Sequence, residues 1–546
     1  MKQLPIGIQD FRDVRDEDYY FVDKSMLIGR ILDWNDDGVF LITRPRRFGK
    51  SLNLSMMDAF FNIRYKGNTW FDDLEISKHH EYDGYKNAFP VISIDLRLDC
   101  IESFSGFMEL INSAIYSTFD RYTYLRDSPK LTEESKSMFT TLYAGTKTVA
   151  DSEFAFNCLC SMLEEHHGKK VIVLIDDYDS AVNSIADEDL RHDVLSFMKG
   201  MLSYLLKGNR SLQMGIIMGT THIIMGDDFG GGLNNVIADN ILDKKLDEMF
   251  GFTDDEVEQI CVDYGNPEKF AEAKEWYGGY RFGDADICNP WDLMKYVENG
   301  FEHLPHWKDV RDDSIIEGLM INADERTLRD LETLGSGDCV ERRIVMTVTF
   351  GDLARRPSAI YSLMAVTGYL KAVKSDGGYF LSIPNRKLFG VFTRIFISSS
   401  FTDYDAAANF EEFSDAVLSD DITMMEKKLY TLMAETTGCH ILDDEHSFQI
   451  SIIGLLMALS GKYRITADFE SGEGYHDIRM ESKDGKGCNV IMELKRSNGE
   501  SQLEQDARKA IQQIREKDYA HDLKGQTILY GISFYGKVPH IVSEKL

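Results

Sequence analysis

GVFLITRPRRFGKSLNLSMMDAFF at 38–61 decides the reading of this chain. GVFLIT is a β-branched and aromatic run of strand length, SLNLSMMDAFF has helical character, and RPRRFGK joins them. Gly-Lys-Ser at a strand-to-helix turn suits a triphosphate. Gly49 lets the backbone approach phosphate, and the first N–H groups of the helix point at it. The Lys50 ammonium reaches β and γ oxygens, and the Ser51 hydroxyl takes a magnesium position. Arg46 and Arg47 add positive charge to the same loop. The full pattern asks for a glycine five residues before Gly49, where Arg44 stands, so an ordinary basic turn is the competing reading.

Working outward, VIVLIDDYDS at 171–180 ends a buried apolar strand in Asp176 and Asp177. Consecutive strand residues face opposite ways, so the two carboxylates have different jobs. Ligands bind at the carboxyl ends of parallel sheets. Asp176 is expected to hold magnesium through water, and Asp177 to orient or deprotonate the attacking water. A solvated acidic strand end is the plainer alternative. Thr220 ends the next apolar strand and is a candidate γ-phosphate contact. Arg281, in WYGGYRFG at 276–283, is a candidate for a second phosphate contact, although a surface arginine reads equally simply.

Four strands are expected in the first 250 residues: 38–43, 90–97, 170–177 and 213–221, with helical patterns at 102–122 and 153–167 between them. This alternation predicts an α/β fold with a parallel sheet covered on both faces. From 251 to 400 the pattern becomes a helical lid with a small mixed linking module. There Thr253 opens a helix with an acidic first turn, and a hairpin is expected at 378–384. Residues 401–546 read as a helical lead-in, one helical segment at about 405–437, and a second α/β unit.

That unit carries a carboxylate hairpin. Its strands, YHDIRME and CNVIMELKR, are joined by SKDGKG, whose Asp-Gly is a hairpin signal. Glu493 and Lys495 share one strand face, while Met492 and Leu494 take the core face. Asp477 lies across the turn, and Glu470 precedes it by seven residues. Carboxylates converging there repel one another unless a divalent cation sits among them, and Mg²⁺, or Mn²⁺ in its place, suits such oxygen ligands. Lys495 then steadies an attacking hydroxide or developing phosphorane charge. A solvated polar face is the alternative. Helix 502–518 turns Leu503, Ala507, Ala510, Ile511 and Ile514 to one side, and TILYGISFY at 527–535 is read as the final strand.

Composition narrows the function. The 546 residues hold 60 Lys and Arg against 91 Asp and Glu, a net charge of −31, which disfavours non-specific coating of polyanions. Residues 441–546 carry 14 basic and 17 acidic side chains, so nearly all the excess lies before them. No apolar run approaches the roughly 20 residues that cross a bilayer, and no secretory signal opens the chain. Eight cysteines, with Cys158 and Cys160 alone close together, read as free thiols in a reducing cytoplasm.

Together these stretches resemble the bacterial AAA-ATPase-like proteins that carry a C-terminal PD-(D/E)XK nuclease domain. The resemblance runs through 4–28, TRPRRFGKSLNLSMM at 43–57, VLIDDYDSAV at 173–182, FGFTDDEV at 250–257, WYGGYRFG, NPWDL at 289–293, ESGEGYHDI at 470–478, IMELK at 491–495 and AIQQIREKDY at 510–519. It implies a P-loop NTPase-type parallel sheet over 1–250, a lid over 251–400, and a PD-(D/E)XK-type α/β domain within 401–546. It also implies ATP binding, hydrolysis and metal-dependent cleavage of DNA or RNA, with a homo-oligomer or protein partner allowed; the shorter Asp177 side chain, where the family usually has Glu, makes slow hydrolysis the expectation. By position, Lys50 and Ser51 correspond to the phosphate loop, Asp176 to the magnesium acid, and Asp477, Glu493 and Lys495 to the nuclease core. Glu470 corresponds to an upstream acid.

The departures are specific. Asp177 stands where the family usually has Glu, and His222 where an arginine is common. Tyr475 replaces an arginine before the nuclease Asp, and Phe448-Gln449 replaces an upstream Tyr-His. A nucleotide-dependent sensor or scaffold whose nuclease fold does not cut is the alternative function.

Overall fold

The computed structural model describes residues 2–546 except 99–100, 146–147, 186, 224–232, 303–325, 328–329, 331–332, 335–337, 349–355, 357, 390, 393–405, 436–447, 450–451, 453–454, 457–458, 460–461, 472–473, 484 and 522. The chain divides into two units, Met1–Phe301 with Glu341–Asn385, and Glu302–Val340 with Arg386–Leu546.

In the first unit, β1 (Val39–Thr43), β2 (Val91–Asp95), β3 (Val171–Asp176), β4 (Leu212–Gly219) and β5 (Val236–Asp239) form a sheet in the order β2-β3-β4-β1-β5. Every neighbouring pair is parallel. The four expected strands are present, and β5 is an addition that four residues of VIAD do not announce. All five residues of β1 and all six of β3 are buried, which is why both read as unbroken apolar runs.

Helix α1 (Lys50–Phe61) follows β1. Helices α2 (Phe104–Asp120), α3 (Val149–His167) and α4 (Glu188–Leu206) bring Phe107, Ile111, Phe156, Leu159, Met201 and Leu202 into one core with Val173 and Ile175. A capping box between Thr148 and Asp151 starts α3, and Gly168 in the left-handed region (φ 70°) ends it.

Beyond β5 comes α5 (Asp254–Asp263), whose N-cap Thr253 forms a capping box with Glu256. The antiparallel pair β6 (Tyr280–Phe282) and β7 (Ala285–Cys288) leads into α6 (Pro290–Glu298). The expected hairpin is formed by β8 (Lys371–Lys374) and β9 (Tyr379–Ser382). The N-terminal stretch packs here: Leu4, Ile6, Tyr20 and Val22 lie on the core formed by α5 and α6, and the buried Lys24 ammonium lies 2.6 Å from Glu256.

In the second unit, the single helical segment expected at 405–437 is two helices, α7 (Ala406–Ser419) and α8 (Ile422–Glu435). Asp420, at φ 63°, breaks them, a left-handed conformation that no helix interior admits. Strands β10 (Tyr463–Ser471), β11 (Gly474–Ser482), β12 (Asn489–Arg496), β13 (Thr527–Tyr535) and β14 (Val538–Lys545) form a mixed sheet in chain order. The β12–β13 pair is parallel and the others antiparallel. The last strand is therefore β14 and not 527–535, since Val538–Lys545 returns along β13 after a turn at Gly536 (φ 54°).

Helix α9 (Leu503–Glu516) makes the parallel crossover from β12 to β13. It buries Leu503, Ala507, Ala510, Ile511 and Ile514, the face expected from its periodicity. Gly531 on β13 permits this packing, because a Cβ there would stand 2.0 Å from the Ala507 carbonyl oxygen. On the other sheet face, Ile478, Met480, Met492, Leu494 and Ile532 join Phe413, Met425 and Leu429.

Candidate functional sites

The loop after β1 ends at Gly49, left-handed at φ 82°, and α1 begins with no side-chain cap. Its first-turn N–H groups are left for an anion. Arg47 also takes a positive φ, 69°, which costs a non-glycine residue about 1–2 kcal/mol. Phe48 is buried against Tyr280 and Phe282 of β6, with ring centroids 4.9 and 5.1 Å away.

Arg44 explains the missing glycine. It is completely buried, donates to Asp239 at the end of β5 at 2.6 Å and to the Leu246 carbonyl at 3.1 Å, and lies over the Phe250 and Phe282 rings. Its side chain is a strut beneath the loop.

The Lys50 ammonium is buried and donates to the carbonyls of Arg44 and Pro45, each at 2.9 Å. Burial lowers its pKa, and the charges of Asp177, Asp179 and Asp176 act in the opposite direction. Asp176 is hydrogen-bonded by Ser51; burial and then Asp177 push its carboxyl up to about 6, against that bond and Lys50. Ser51 and Asp176, from the loop helix and β3, are thus already together. Asp177 leaves the strand at φ 46°, and its carboxylate accepts from Arg97 Nε at 3.0 Å. Arg97 lies two residues beyond β2 and also reaches Gln9.

Thr220 sits beside this group with its backbone N–H donated to Asp179. Asp179 was not singled out from sequence. It is buried, accepts the N–H and hydroxyl of Thr221 at 2.6 and 2.7 Å, and fixes the turn after β4. Its DDYDS context holds the signal, since a third acid so near a buried strand end needs partners. Arg46 is exposed and Arg47 half-buried on the loop. Arg281 takes the face of β6 opposite to the one that meets Phe48 of the loop, since it alternates with Tyr280 and Phe282, and it pairs with Asp286 at 3.2 Å.

In the second unit, Asp477, Glu493 and Lys495 converge on the α9 side of the sheet. Asp477 Oδ2 accepts the Leu494 backbone N–H at 2.6 Å, and Lys495 Nζ donates to Glu493 Oε1 at 3.1 Å. Glu493 is 1% exposed, and among the described residues its Oε2 has no hydrogen-bond partner. Burial, then the Asp477 charge, push this carboxyl up to about 7, against Lys495. Glu470 lies on β10 opposite Tyr475, and the side chains of both fall outside the described residues.

Two residues here were missed. Gln513 of α9 donates to Glu493 Oε1, and the buried Tyr519 bonds Gln513. Helix periodicity alone could have found Gln513, since it lies between Ile511 and Ile514 at the edge of the apolar stripe. Gln449 donates to the Asp477 carbonyl at 2.6 Å, and Phe448 stacks on Phe534.

Among the described residues, no group of three or more His, Cys, Asp or Glu gathers around one metal position. Ser51 with Asp176, and Asp477 with Glu493, are the pairs of oxygen-bearing side chains brought together at the two places. The unpartnered Glu493 oxygen and the raised carboxyls at both places fit a divalent cation, which would supply the missing opposite charge.

Residues 5–229 match the family described as predicted AAA-ATPase, and residues 443–544 match the PD-(D/E)XK nuclease superfamily. The chain carries an AAA-ATPase-like region followed by a PD-(D/E)XK nuclease-superfamily region. An uncharacterized protein in the vnfD 5' region of Azotobacter chroococcum mcd 1 is 23% identical over 388 residues, 70% of this chain and 68% of that protein. The structure of the Aeropyrum pernix ORC2 protein (ADPNP-ADP complexes) aligns at a TM-score of 0.29 and 12% identity, over 70% of this chain and 97% of that one, a likeness too low to argue from. Among the described residues no helix is long and apolar enough to cross a membrane.

In the AAA-ATPase-like region, His222 is buried with Nε2 2.6 Å from the Thr43 hydroxyl. Burial, then Arg44, hold its pKa down at about 4, so the ring is neutral where an arginine was expected.

Proposed function

We propose that the chain binds Mg²⁺-ATP at the loop of β1, hydrolyses it slowly, and uses nucleotide state to control magnesium-dependent cleavage of nucleic-acid phosphodiesters by the second unit. The carrying observation is that Ser51 and Asp176 come together beside the buried Lys50, whose ammonium donates to the Arg44 and Pro45 carbonyls. Arriving phosphates give Lys50 anionic partners, and the uncapped first turn of α1 supplies N–H donors. Ser51 and Asp176 would hold the cation, and Asp177, released from Arg97, would orient water.

In the nuclease-superfamily unit, Asp477 and Glu493 would hold Mg²⁺ or Mn²⁺, with Glu470 as a further candidate ligand. The metal supplies charge to a phosphoryl oxygen and lowers the pKa of water. Lys495, which donates to Glu493, would face the reacting phosphate, and Gln513 would hold Glu493 in orientation. DNA and RNA both fit this reading.

A second reading, a nucleotide-dependent scaffold that does not cut, is favoured by the neutral His222 and the Arg97–Asp177 pair. Calorimetry of Mg²⁺-ATP with the wild type and Lys50→Ala tests the nucleotide half. Loss of binding in the variant is expected, and equal affinity would overturn it.

A further inference from the structure

We infer that Trp291 is the base-stacking wall of the nucleotide site, and that the site therefore takes purine nucleoside triphosphates. The inference rests on the reading of the β1 loop as a triphosphate site and deepens it. Trp291 lies in the first turn of α6, half-buried, with the Arg47 guanidinium carbon 5.5 Å and the Lys295 ammonium 5.6 Å from its ring centroid. Arg47 belongs to the phosphate loop itself, two residues before Gly49. Its side chain spans from the loop backbone to the indole, a reach like that from a nucleotide's phosphates to its base.

The wall is held firmly against the loop. Phe48 packs on Tyr280 and Phe282 of β6, Tyr280 pairs with Ile287 on β7, and β7 runs directly into Asn289, the N-cap of α6. On the far side of the loop, Gly368 stands so close that a Cβ would meet Pro45 at 2.8 Å. Loop and indole therefore keep one spacing.

The exchange follows from charge and shape. An indole face that accepts a flat guanidinium also accepts a flat purine. Triphosphate is a stronger partner for Arg47 than an aromatic ring is. Arg47 turns to the phosphates as the nucleotide enters, and the base takes the ring it leaves. Stacking reads ring area rather than an edge pattern of donors and acceptors, so ATP and GTP bind alike, and CTP and UTP bind less tightly.

The test compares Mg²⁺-ATP with inorganic tripolyphosphate on the wild type, Trp291→Leu and Trp291→Phe. Trp291→Leu is expected to raise the ATP dissociation constant about tenfold, the effect of one lost base stack, and to leave tripolyphosphate binding unchanged. Equal weakening of both ligands would mean that Trp291 only braces the loop, and no weakening of either would mean that the base lies elsewhere; both overturn the inference. If Trp291→Leu does not fold, indole fluorescence decides. ATP should quench the wild type, and Trp291→Phe should bind ATP with that quench lost; an undiminished quench overturns the proposal. A wild type that bound neither ligand would instead overturn the triphosphate reading beneath it.

Discussion

Lys495 Nζ lies 3.1 Å from Glu493 Oε1, while the other oxygen of Glu493 is buried with no hydrogen-bond partner among the described residues. Lys495 and Gln513 both donate to one oxygen of a carboxyl that burial and Asp477 push up to about 7. Without metal, the folded protein therefore binds a proton at Glu493 that the unfolded chain, at an ordinary glutamate pKa, has already released. Between about pH 4.5 and 7 the native state holds more protons, so this site costs stability as pH rises and costs most above 7. Glu493→Gln should raise the melting temperature of the metal-free protein at pH 8, by an amount corresponding to about 3 kcal/mol, and change it little at pH 4.5. Millimolar Mg²⁺ should stabilise the wild type at pH 8 and not the variant. Thermal melts at the two pH values check both.

His222 gives the opposite slope. Its folded pKa, about 4, lies below the ordinary histidine value, so its contribution to stability is present above pH 6.5 and is lost as pH falls toward 4. Restoring the family's arginine by His222→Arg would place a second guanidinium in a buried site beside Arg44. Chemical denaturation should show a loss of about 3 kcal/mol or more. A variant as stable as the wild type would contradict the neutral, packed imidazole.

Arg97 and Asp177 form a half-exposed pair of the kind worth about 0–1 kcal/mol. Arg97→Ala should leave stability almost unchanged and free Asp177 for water. Steady-state assays should then show kcat for ATP rising by up to about fivefold, with KM little changed. A fall in kcat would place Arg97 on the phosphates instead.

Gln513→Ala should lower metal-dependent cleavage by about tenfold or more, since partners that orient metal-holding carboxylates typically carry 10–100-fold. Far-ultraviolet circular dichroism should stay unchanged, because Gln513 lies at the margin of the α9 apolar stripe.

Much of this architecture was legible in local pattern. VFLIT and VIVLID read as buried strands because every residue in them is covered, and the Asp-Gly of SKDGKG marked the turn between β11 and β12. Gly49-Lys50-Ser51 and Asp176 could be placed because strand ends and helix starts are set by neighbours in sequence. What escaped depends on distant partners. Arg44 looks like a flaw in the loop until Asp239, 195 residues away, meets it in the core. Gln513 reaches Glu493 only because α9 crosses back over the sheet. The terminal strand was hidden by Pro539 within VPHIVSEK, which sits on an edge strand, where proline is tolerated. Which face of β6 Arg281 takes was equally invisible in WYGGYRFG, and the alternation gives the positions against Phe48 to Tyr280 and Phe282.

The central claim is that two side-chain sets in one chain act in sequence, a nucleotide at Lys50 controlling a metal at Asp477 and Glu493. Labelled DNA and RNA incubated with Mg²⁺ or Mn²⁺, with and without ATP, test it on the wild type, Lys50→Ala and Asp477→Ala. The account predicts cleavage by the wild type that responds to ATP, cleavage without that response in Lys50→Ala, and none in Asp477→Ala. Cleavage that survived Asp477→Ala, or a wild type that cut neither substrate under any of these conditions, would contradict it.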